Sequence, residues 1–126
     1  MRLLLDTHAT LWALFDPDRL STAASEAIGD TSNDILVSVA SAWEIAIKQG
    51  LGRLAPPAPL AEGMNDAGYL FLDISPEHCA AYADFPVERD HRDPFDRMLV
   101  VQARLEDCHL VSRDAQLDRY GVSRVW

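Results

Sequence analysis

The sequence predicts an α/β protein, a three-layer α/β/α sandwich with a mainly parallel sheet, formed as a single domain over residues 1–126. Short apolar runs that lack clean alternation are typical of strands covered on both faces. Stretches with helix-capping residues separate these runs along the chain. Because strand and helix alternate, the strands are expected to be parallel and joined by right-handed crossovers.

The predicted strands are four apolar runs, followed by a weaker fifth one. None of the four shows the alternation of a half-exposed strand, so we expect both of their faces to be buried. The runs lie at Leu3–Leu5, Ile35–Ser38, Tyr69–Ile74, Leu110–Ser112 and, more weakly, Val122–Val125.

The predicted helices begin at capping residues. Ser21 is a good N-cap, and the segment Ser75–Glu77 combines a cap, a proline at the first helical position and an acid in the first turn. Gly50 follows a helical stretch, as is common at helix C-termini. The helices are expected at Ala9–Phe15, Thr22–Ile28, Ala40–Gln49, from Pro59 through Ala67, from Pro76 onward, and, as the longest, at Pro94–Glu106.

The composition narrows the class of protein. Hydrophobic residues make up 48% and charged residues 25%, which is ordinary for a globular domain. The two cysteines, Cys79 and Cys108, form no CxxC pair, and we expect two buried thiols in a reducing compartment. The N-terminus lacks a signal-peptide core, and no apolar run is long enough to span a bilayer. We therefore expect a cytoplasmic protein without a membrane partner.

The charge is acidic overall and unevenly distributed. A net charge of −9 argues against non-specific binding of nucleic acid through a basic face. Residues 89–126, however, contain seven arginines beside seven acids. Arginine suits bidentate contacts to phosphate, so Arg92, Arg97 and Arg113 are candidate phosphate ligands. An equal alternative is that the preference for arginine over lysine reflects genome composition.

Two acids from distant parts of the sequence are expected at one edge of the sheet. Asp6 directly follows the first predicted strand, and Asp114 follows the fourth by two residues. Ligands of parallel α/β sheets bind outside the carboxyl ends of the strands. Asp6 lies between two apolar segments, where an unpaired carboxylate costs several kcal/mol unless it is paired or binds a cation. The alternative is that Asp6 only caps the next helix.

Three further acids have both a structural and a functional interpretation. Glu44 lies four residues before Lys48 in the favoured order for a helical ion pair, and it lies beside an apolar stripe of Trp43, Ile47 and Leu51. Asp96 is in the first turn of the longest helix, where an acid complements the helix dipole. Asp93 is favoured as the N-cap of that helix.

Several converging carboxylates suit a hard divalent cation. Mg²⁺ and Mn²⁺ take oxygen ligands, and such ions promote phosphoryl displacement by water. The hydroxyls of Thr7 and Ser112 would orient the acids or the metal's waters. Motifs for a P-loop, a dinucleotide fold, a nucleophile elbow or a zinc site are missing from the sequence. His8 is favoured as a histidine packed at the start of a helix.

Four segments together resemble the PIN-domain family, and in particular the VapC-type toxins of type II toxin–antitoxin pairs. They stand in the family's order and spacing and span essentially the whole chain, from Arg2 to Trp126. The segments are LLLDTHATLWAL, SVASAWEIAIKQGLGRL, HRDPFDRMLVVQA and LVSRDAQLDRYGV.

The resemblance implies an Mg²⁺- or Mn²⁺-dependent endoribonuclease with an acidic quartet. The quartet corresponds to Asp6, Glu44, Asp96 and Asp114, of which the three aspartates would hold the metal. Ser112 stands where the family often has threonine, and Asp93 and Asp118 are nearby acids that could assist. The resemblance also implies a cognate VapB-like antitoxin and a homodimer. A metal-dependent phosphatase, a DNA nuclease and a non-catalytic partner-binding scaffold are the alternatives.

Overall fold

A parallel sheet between two layers of helices forms the body of the protein. The computed structural model describes residues 1–86 and 93–126. Within these residues the strands are β1 (Arg2–Leu5), β2 (Asp34–Ser38), β3 (Leu70–Leu72), β4 (His109–Val111) and β5 (Arg124–Val125). The α-helices are α1 (Thr7–Phe15), α2 (Thr22–Gly29), α3 (Val39–Gly50), α4 (Leu60–Ala67), α5 (Pro76–Ala83) and α6 (Pro94–Leu105), and short 3-10 helices lie at Pro17–Arg19 and Ala115–Tyr120. The predicted α/β/α class is confirmed.

The strand order places a crevice beside β1. The order is β3-β2-β1-β4-β5, and every pairing between neighbours is parallel. The chain leaves β1 toward β2 and later returns to its other side as β4. The carboxyl ends of β1 and β4 are therefore a topological switch point, where connections leave the sheet in opposite directions and a ligand crevice forms.

The core lies on both faces of the central strands, as their uninterrupted apolar character predicted. Leu4 contributes to the cluster that contains Leu99 of α6, whereas Leu3 and Leu5 contribute to the cluster that contains Ala9 of α1. This division follows from the alternation of side chains along a strand. Both faces of β1 are packed against helices, and this packing also fixes the position of Asp6, which directly follows the strand.

The helix starts agree with the capping signals in the sequence. The Ser21 hydroxyl accepts a hydrogen bond from the backbone N–H of Ala24 at the start of α2. Ser75 and His78 form a reciprocal capping box at the start of α5. α6, predicted to be the longest helix, has 12 residues, as has α3. None of the helices in the described part of the chain is long and apolar enough to cross a bilayer.

The apolar pattern overestimated burial at one side of the molecule. β3 has only three residues and is an edge strand, and Leu70 and Phe71 are 56% and 46% exposed. An edge strand lacks a neighbour on one side, and nothing in its own composition indicates that position.

The two cysteines differ in exposure. Cys108 is buried, as predicted, but Cys79 is exposed, so the prediction that both cysteines are buried is wrong for Cys79.

The apolar stripe on α3 also faces solvent. Trp43, Ile47 and Leu51 are exposed, although their spacing is that of a core-facing stripe. The buried residues of α3 are instead Ala40, Ser41 and Ile45. The face of α3 that packs on the sheet is therefore formed by two small residues and Ile45, and not by the apolar stripe.

Candidate active site

A cavity of about 630 Å³ opens at the carboxyl ends of β1 and β4. It lies at the switch point of the sheet, and its wall carries five carboxylates from four parts of the chain. The lining residues are Asp6, Thr7, His8, Trp12, Glu44, Lys48, Asp93, Asp96, Arg113, Asp114 and Ala115. The structure therefore brings together the four acids of the predicted quartet, with Asp93 as a fifth.

Three of the acids are held at the cavity because they cap helices. Asp6 accepts a 2.7 Å hydrogen bond from the N–H of Ala9, Asp93 a 2.8 Å bond from that of Phe95, and Asp114 a 3.0 Å bond from that of Gln116. In each case the cap engages Oδ1. A carboxylate has two oxygens, so one side chain can both cap a helix and contact a ligand. The capping and functional interpretations of these acids are compatible.

Ser112 connects two of the acids. Its hydroxyl donates to the Asp6 carboxylate and accepts a 3.1 Å hydrogen bond from the N–H of Asp114. Ser112 is completely buried. This hydroxyl therefore fixes the position of Asp6 relative to the turn that carries Asp114.

Burial raises the pKa of Asp6 above its usual value. The hydrogen bonds from Ser112 and Ala9 and the nearby His8 act in the opposite direction, while the neighbouring Glu44 raises the pKa further. Burial dominates because removing a carboxylate from water disfavours its charged form. A cation bound beside Asp6 would restore the charged form.

Glu44 reaches the cavity from α3 and is held on both oxygens. The Thr7 hydroxyl donates to its Oε1, and the Lys48 ammonium lies 3.1 Å from its Oε2. The helical ion pair expected from the sequence is present. The Glu44 side chain is only 12% exposed, and both residues of the pair line the cavity.

The start of α6 supplies two acids of the cavity, Asp93 and Asp96. Asp93 caps the helix and is exposed, and Asp96 lies half-buried one turn further along the cavity wall. Asp118 is outside the cavity. Its carboxylate accepts two hydrogen bonds from Arg124, which also donates to the backbone carbonyl of Ser112. Arg124 thus links Asp118 to the strand end that carries Ser112.

The three candidate arginines differ in position. Arg113 is exposed and lines the cavity. Arg97 is buried and donates to the carbonyls of Phe85 and Pro86, with its guanidinium over two aromatic rings, so the prediction that it contacts phosphate is wrong. Arg92 lies outside the described residues.

Three lining residues, His8, Trp12 and Lys48, lie at the cavity although their sequence patterns did not predict a place there. His8 was predicted to be packed, but it is exposed, and its ring is stacked on Trp12 at a centroid distance of 5.4 Å. Lys48 was treated only as a helical partner of Glu44. One signal was available in the sequence: His8 and Trp12 are four residues apart in the helix that Asp6 starts, so they share a face near the predicted site.

The lining residues fit a hard divalent cation. Among the described residues, no three acidic, histidine or cysteine side chains converge as a ready-made metal cage. Mg²⁺ usually keeps several waters and is bound through one or two carboxylates, so it does not require such a cage. The donors at this cavity are carboxylates, the type that Mg²⁺ and Mn²⁺ prefer. The buried Asp6 charge gives one of them a specific reason to bind a cation.

The fold and the cavity together define a class, a parallel α/β/α domain with a carboxylate-lined site at its switch point. Comparison with known proteins identifies that class. The PIN domain family model matches residues 3–122, and the chain therefore belongs to the PIN-domain family.

Its curated relatives include two VapC proteins of Mycobacterium tuberculosis. The chain is 32% identical over 133 aligned positions to Ribonuclease VapC22, which covers 98% of this chain and 97% of that protein. It is 44% identical over 57 residues to Ribonuclease VapC16, a match that covers 40% of each chain. Within its family, the chain is of the VapC type.

Solved structures support the same fold. VapBC2 from Rickettsia felis, solved with a DNA fragment from its promoter, matches with a TM-score of 0.66 at 14% identity, covering 98% of this chain and 97% of that one. FitAcB from Neisseria gonorrhoeae matches with a TM-score of 0.60 at 18% identity, covering 97% and 95%.

Proposed function

We propose that this protein is a metal-dependent endoribonuclease that acts as the toxin of a toxin–antitoxin pair. The observation that carries the proposal is the cavity at the switch point of the sheet, with Asp6, Glu44, Asp96 and Asp114 in its wall. The VapC ribonucleases that resemble the chain support RNA as the substrate.

The acids have different roles in the proposed reaction. Asp6, Asp96 and Asp114 would hold Mg²⁺ or Mn²⁺, directly or through water. Such an ion, when bound, would supply positive charge at the phosphate and make water a better nucleophile. Glu44, held by Thr7 and Lys48, orients the attacking water. Ser112 keeps Asp6 in position, and Arg113 offers charge to a phosphate oxygen.

The reaction is an in-line hydrolysis of a phosphodiester. The water oxygen bonds to phosphorus while the bond from phosphorus to the 3′ oxygen breaks. One proton of the water is transferred overall to the leaving 3′ oxygen. The products are a 5′-phosphate and a 3′-hydroxyl. Lys48 is well placed to offset the extra negative charge of the transition state, because it lines the same cavity as the acids.

The same carboxylates could serve a DNA nuclease or a phosphatase, so the substrate must be tested directly. The purified protein is incubated with labelled single-stranded RNA, duplex DNA and p-nitrophenyl phosphate, each with EDTA, Mg²⁺ or Mn²⁺. We expect metal-dependent cleavage of RNA alone, with 5′-phosphate ends. If duplex DNA or p-nitrophenyl phosphate is turned over faster than RNA, the choice of RNA as the substrate is overturned.

We also propose a protein antitoxin that blocks the cavity. The similar VapBC2 and FitAcB structures support a partner protein. The carboxylates around Asp6 favour one that inserts an arginine or lysine where the metal would bind. The product of an adjacent upstream reading frame is the candidate to co-purify. A complex in which the partner covers only the β3 edge, with the acids open to solvent, would contradict this mode of inhibition.

A homodimer completes the proposal. The apolar residues Trp43 and Ile47 of α3 and Leu51 at its C-cap are exposed at a helical spacing, and exposed apolar side chains on one helix face favour a protein contact. We expect light scattering to give about twice the 14.0 kDa chain mass, and Leu51→Glu to give the monomer mass. Leu105→Glu is the matched control, since Leu105 is exposed elsewhere. A monomeric wild type, or equal effects of both variants, would contradict this interface.

A further inference from the structure

Two aromatic rings line the cavity beside the acids, those of His8 and Trp12, and the proposed chemistry assigns no role to either of them. The proposed reaction needs carboxylates for the metal and cations for the phosphate, but it does not need two aromatic rings. Their presence in the same cavity requires a separate explanation.

The two rings form an ordered stack. The planes of His8 and Trp12 are 18° apart, with their centroids at 5.4 Å. Trp12 is half-buried and is held from other sides as well. Trp126 packs on it at 5.8 Å, and the guanidinium carbons of Arg19 and Arg113 each lie 6.0 Å from its ring centroid. Trp12 is therefore the inner ring of the stack and is packed by its neighbours, and His8 is the exposed outer ring.

One face of the His8 ring is covered by Trp12, and the residue remains exposed. A planar group can cover the other face and continue the stack. The position of His8, two residues after Asp6, keeps such a group close to any phosphate at the acids. The cavity volume of about 630 Å³ is in the range that holds a compound of nucleotide size.

We propose that His8 and Trp12 form a nucleobase subsite, which holds an unpaired base of RNA next to the bond that is cleaved. This inference rests on the proposed ribonuclease function. Unpaired bases that can leave their own stack are the usual targets of RNA-binding proteins, which stack them on aromatic side chains. Such stacking tolerates any base, because every base has a π face. The substrate class is therefore single-stranded or loop RNA, and duplex RNA is disfavoured.

The test combines a protein change with a substrate change. Cleavage of a single-stranded RNA is first mapped for the wild type with Mn²⁺. Abasic ribose then replaces each base beside the cleaved bond, one at a time, with the backbone unchanged. The substrates are compared for wild type, His8→Ala and His8→Phe. Phe71→Ala, which removes an exposed ring on β3 outside the cavity, is the matched control.

We expect His8→Ala to raise KM about tenfold, the loss typical of one base–aromatic stack, with a smaller effect on kcat. One abasic position should raise the wild-type KM by a similar factor and leave that of His8→Ala unchanged. The KM of His8→Phe should stay within about threefold of the wild-type KM, and the KM of Phe71→Ala should equal that of wild type. If RNA is cleaved but no abasic position distinguishes wild type from His8→Ala, the subsite is overturned and the ribonuclease function stands.

A binding measurement separates the two proposals. Fluorescence anisotropy of labelled RNA gives Kd without any cleavage. If RNA is not cleaved but Kd rises with His8→Ala and with the abasic position, the subsite stands and the proposed reaction fails. If RNA neither binds nor is cleaved, both are overturned. If His8→Ala weakens only an antitoxin complex, the stack is a protein contact and the subsite is overturned.

Discussion

Asp6 shows how one side chain can serve the fold and the site together. Its Oδ1 caps α1, its backbone follows β1 directly, and its carboxylate is buried against Ser112. An uncharged residue that could still cap the helix would satisfy the fold at lower cost. The retention of a buried charge is the residue-scale argument for a cation at this position.

Asp6→Asn and Asp6→Ala separate these two roles. Asparagine keeps the cap and removes the buried charge, so in EDTA at pH 7 we expect Asp6→Asn to melt higher than wild type. Alanine also removes the charge but loses a cap worth about 1 kcal/mol, so Asp6→Ala should melt below Asp6→Asn by roughly 4 °C. Thermal melts followed by circular dichroism give both values.

The pH dependence of this difference follows from the raised pKa of Asp6. Wild type loses stability as pH rises from the ordinary aspartate value through the raised folded-state value, because the unfolded chain releases the proton first. The advantage of Asp6→Asn should therefore grow with pH and vanish in acid. An advantage that is constant from pH 4 to 8 would mean that the Asp6 charge is not the cause.

At the scale of elements, the position of α5 depends on a buried histidine. His78 Nδ1 accepts the backbone N–H of Ser75 at 2.9 Å, and Nε2 contacts Glu106, just after α6, at 2.9 Å. Because Nδ1 is an acceptor, the ring proton lies on Nε2 and donates to Glu106. One imidazole thus starts α5 and attaches it to the end of α6.

We expect His78→Ala to lower the free energy of unfolding by about 2–4 kcal/mol, since it removes a buried ring and its hydrogen bonds to Ser75 and Glu106. Ser75→Ala should cost about 1 kcal/mol, because it removes only the serine side of the cap. Urea denaturation gives both numbers. A loss in His78→Ala no greater than that in Ser75→Ala would show that the link to Glu106 contributes nothing.

Elements with local signals were predicted well from the sequence, and elements that depend on distant packing were not. The starts of α2, α5 and α6 follow from capping residues within the same few positions. The exposure of β3 and the burial of Arg97 depend on which segments pack next to them. Arg97 is held by the carbonyls of Phe85 and Pro86, and no local pattern reports that contact.

The residues of the candidate site also fall into two groups, those whose position the sequence predicts and those whose position depends on how the helices pack. Parallel topology alone predicted that Asp6 and Asp114 meet, because both follow strands that end at the same edge. That Glu44 and Asp96 face the same cavity depends on how α3 and α6 dock on the sheet. The four-residue spacing of His8 and Trp12 indicates that the two rings share a helix face, but it does not predict that they stack in the cavity, because packing against the core gives the same spacing.

At the scale of the whole molecule, the acidic cavity and the stability of the domain are coupled through metal. In EDTA the neighbouring carboxylates repel one another, and a bound cation removes that repulsion. A metal concentration ten times Kd contributes about 1.4 kcal/mol to the free energy of unfolding. We expect millimolar Mg²⁺ or Mn²⁺ to raise the melting temperature of wild type more than that of Asp114→Asn, which keeps the cap of its 3-10 helix.

Four melts, of two proteins with and without metal, measure this coupling. In EDTA, Asp114→Asn should melt above wild type, because it has one charge fewer in the cavity. Equal shifts of both proteins on addition of metal would exclude Asp114 from a preformed metal site.

Cleavage of RNA by the carboxylates at the switch point, with a divalent cation, is measured by one rate constant. The single-turnover rate of RNA cleavage with Mn²⁺ is measured for wild type, Asp6→Asn and Asp66→Asn, an exposed aspartate of α4 outside the cavity. We expect Asp6→Asn to fold and to lose at least about a hundredfold in rate, more than is usual for a residue that only supports a ligand. Asp66→Asn should match wild type. A folded Asp6→Asn protein that cleaves RNA within about threefold of the wild-type rate would contradict the account.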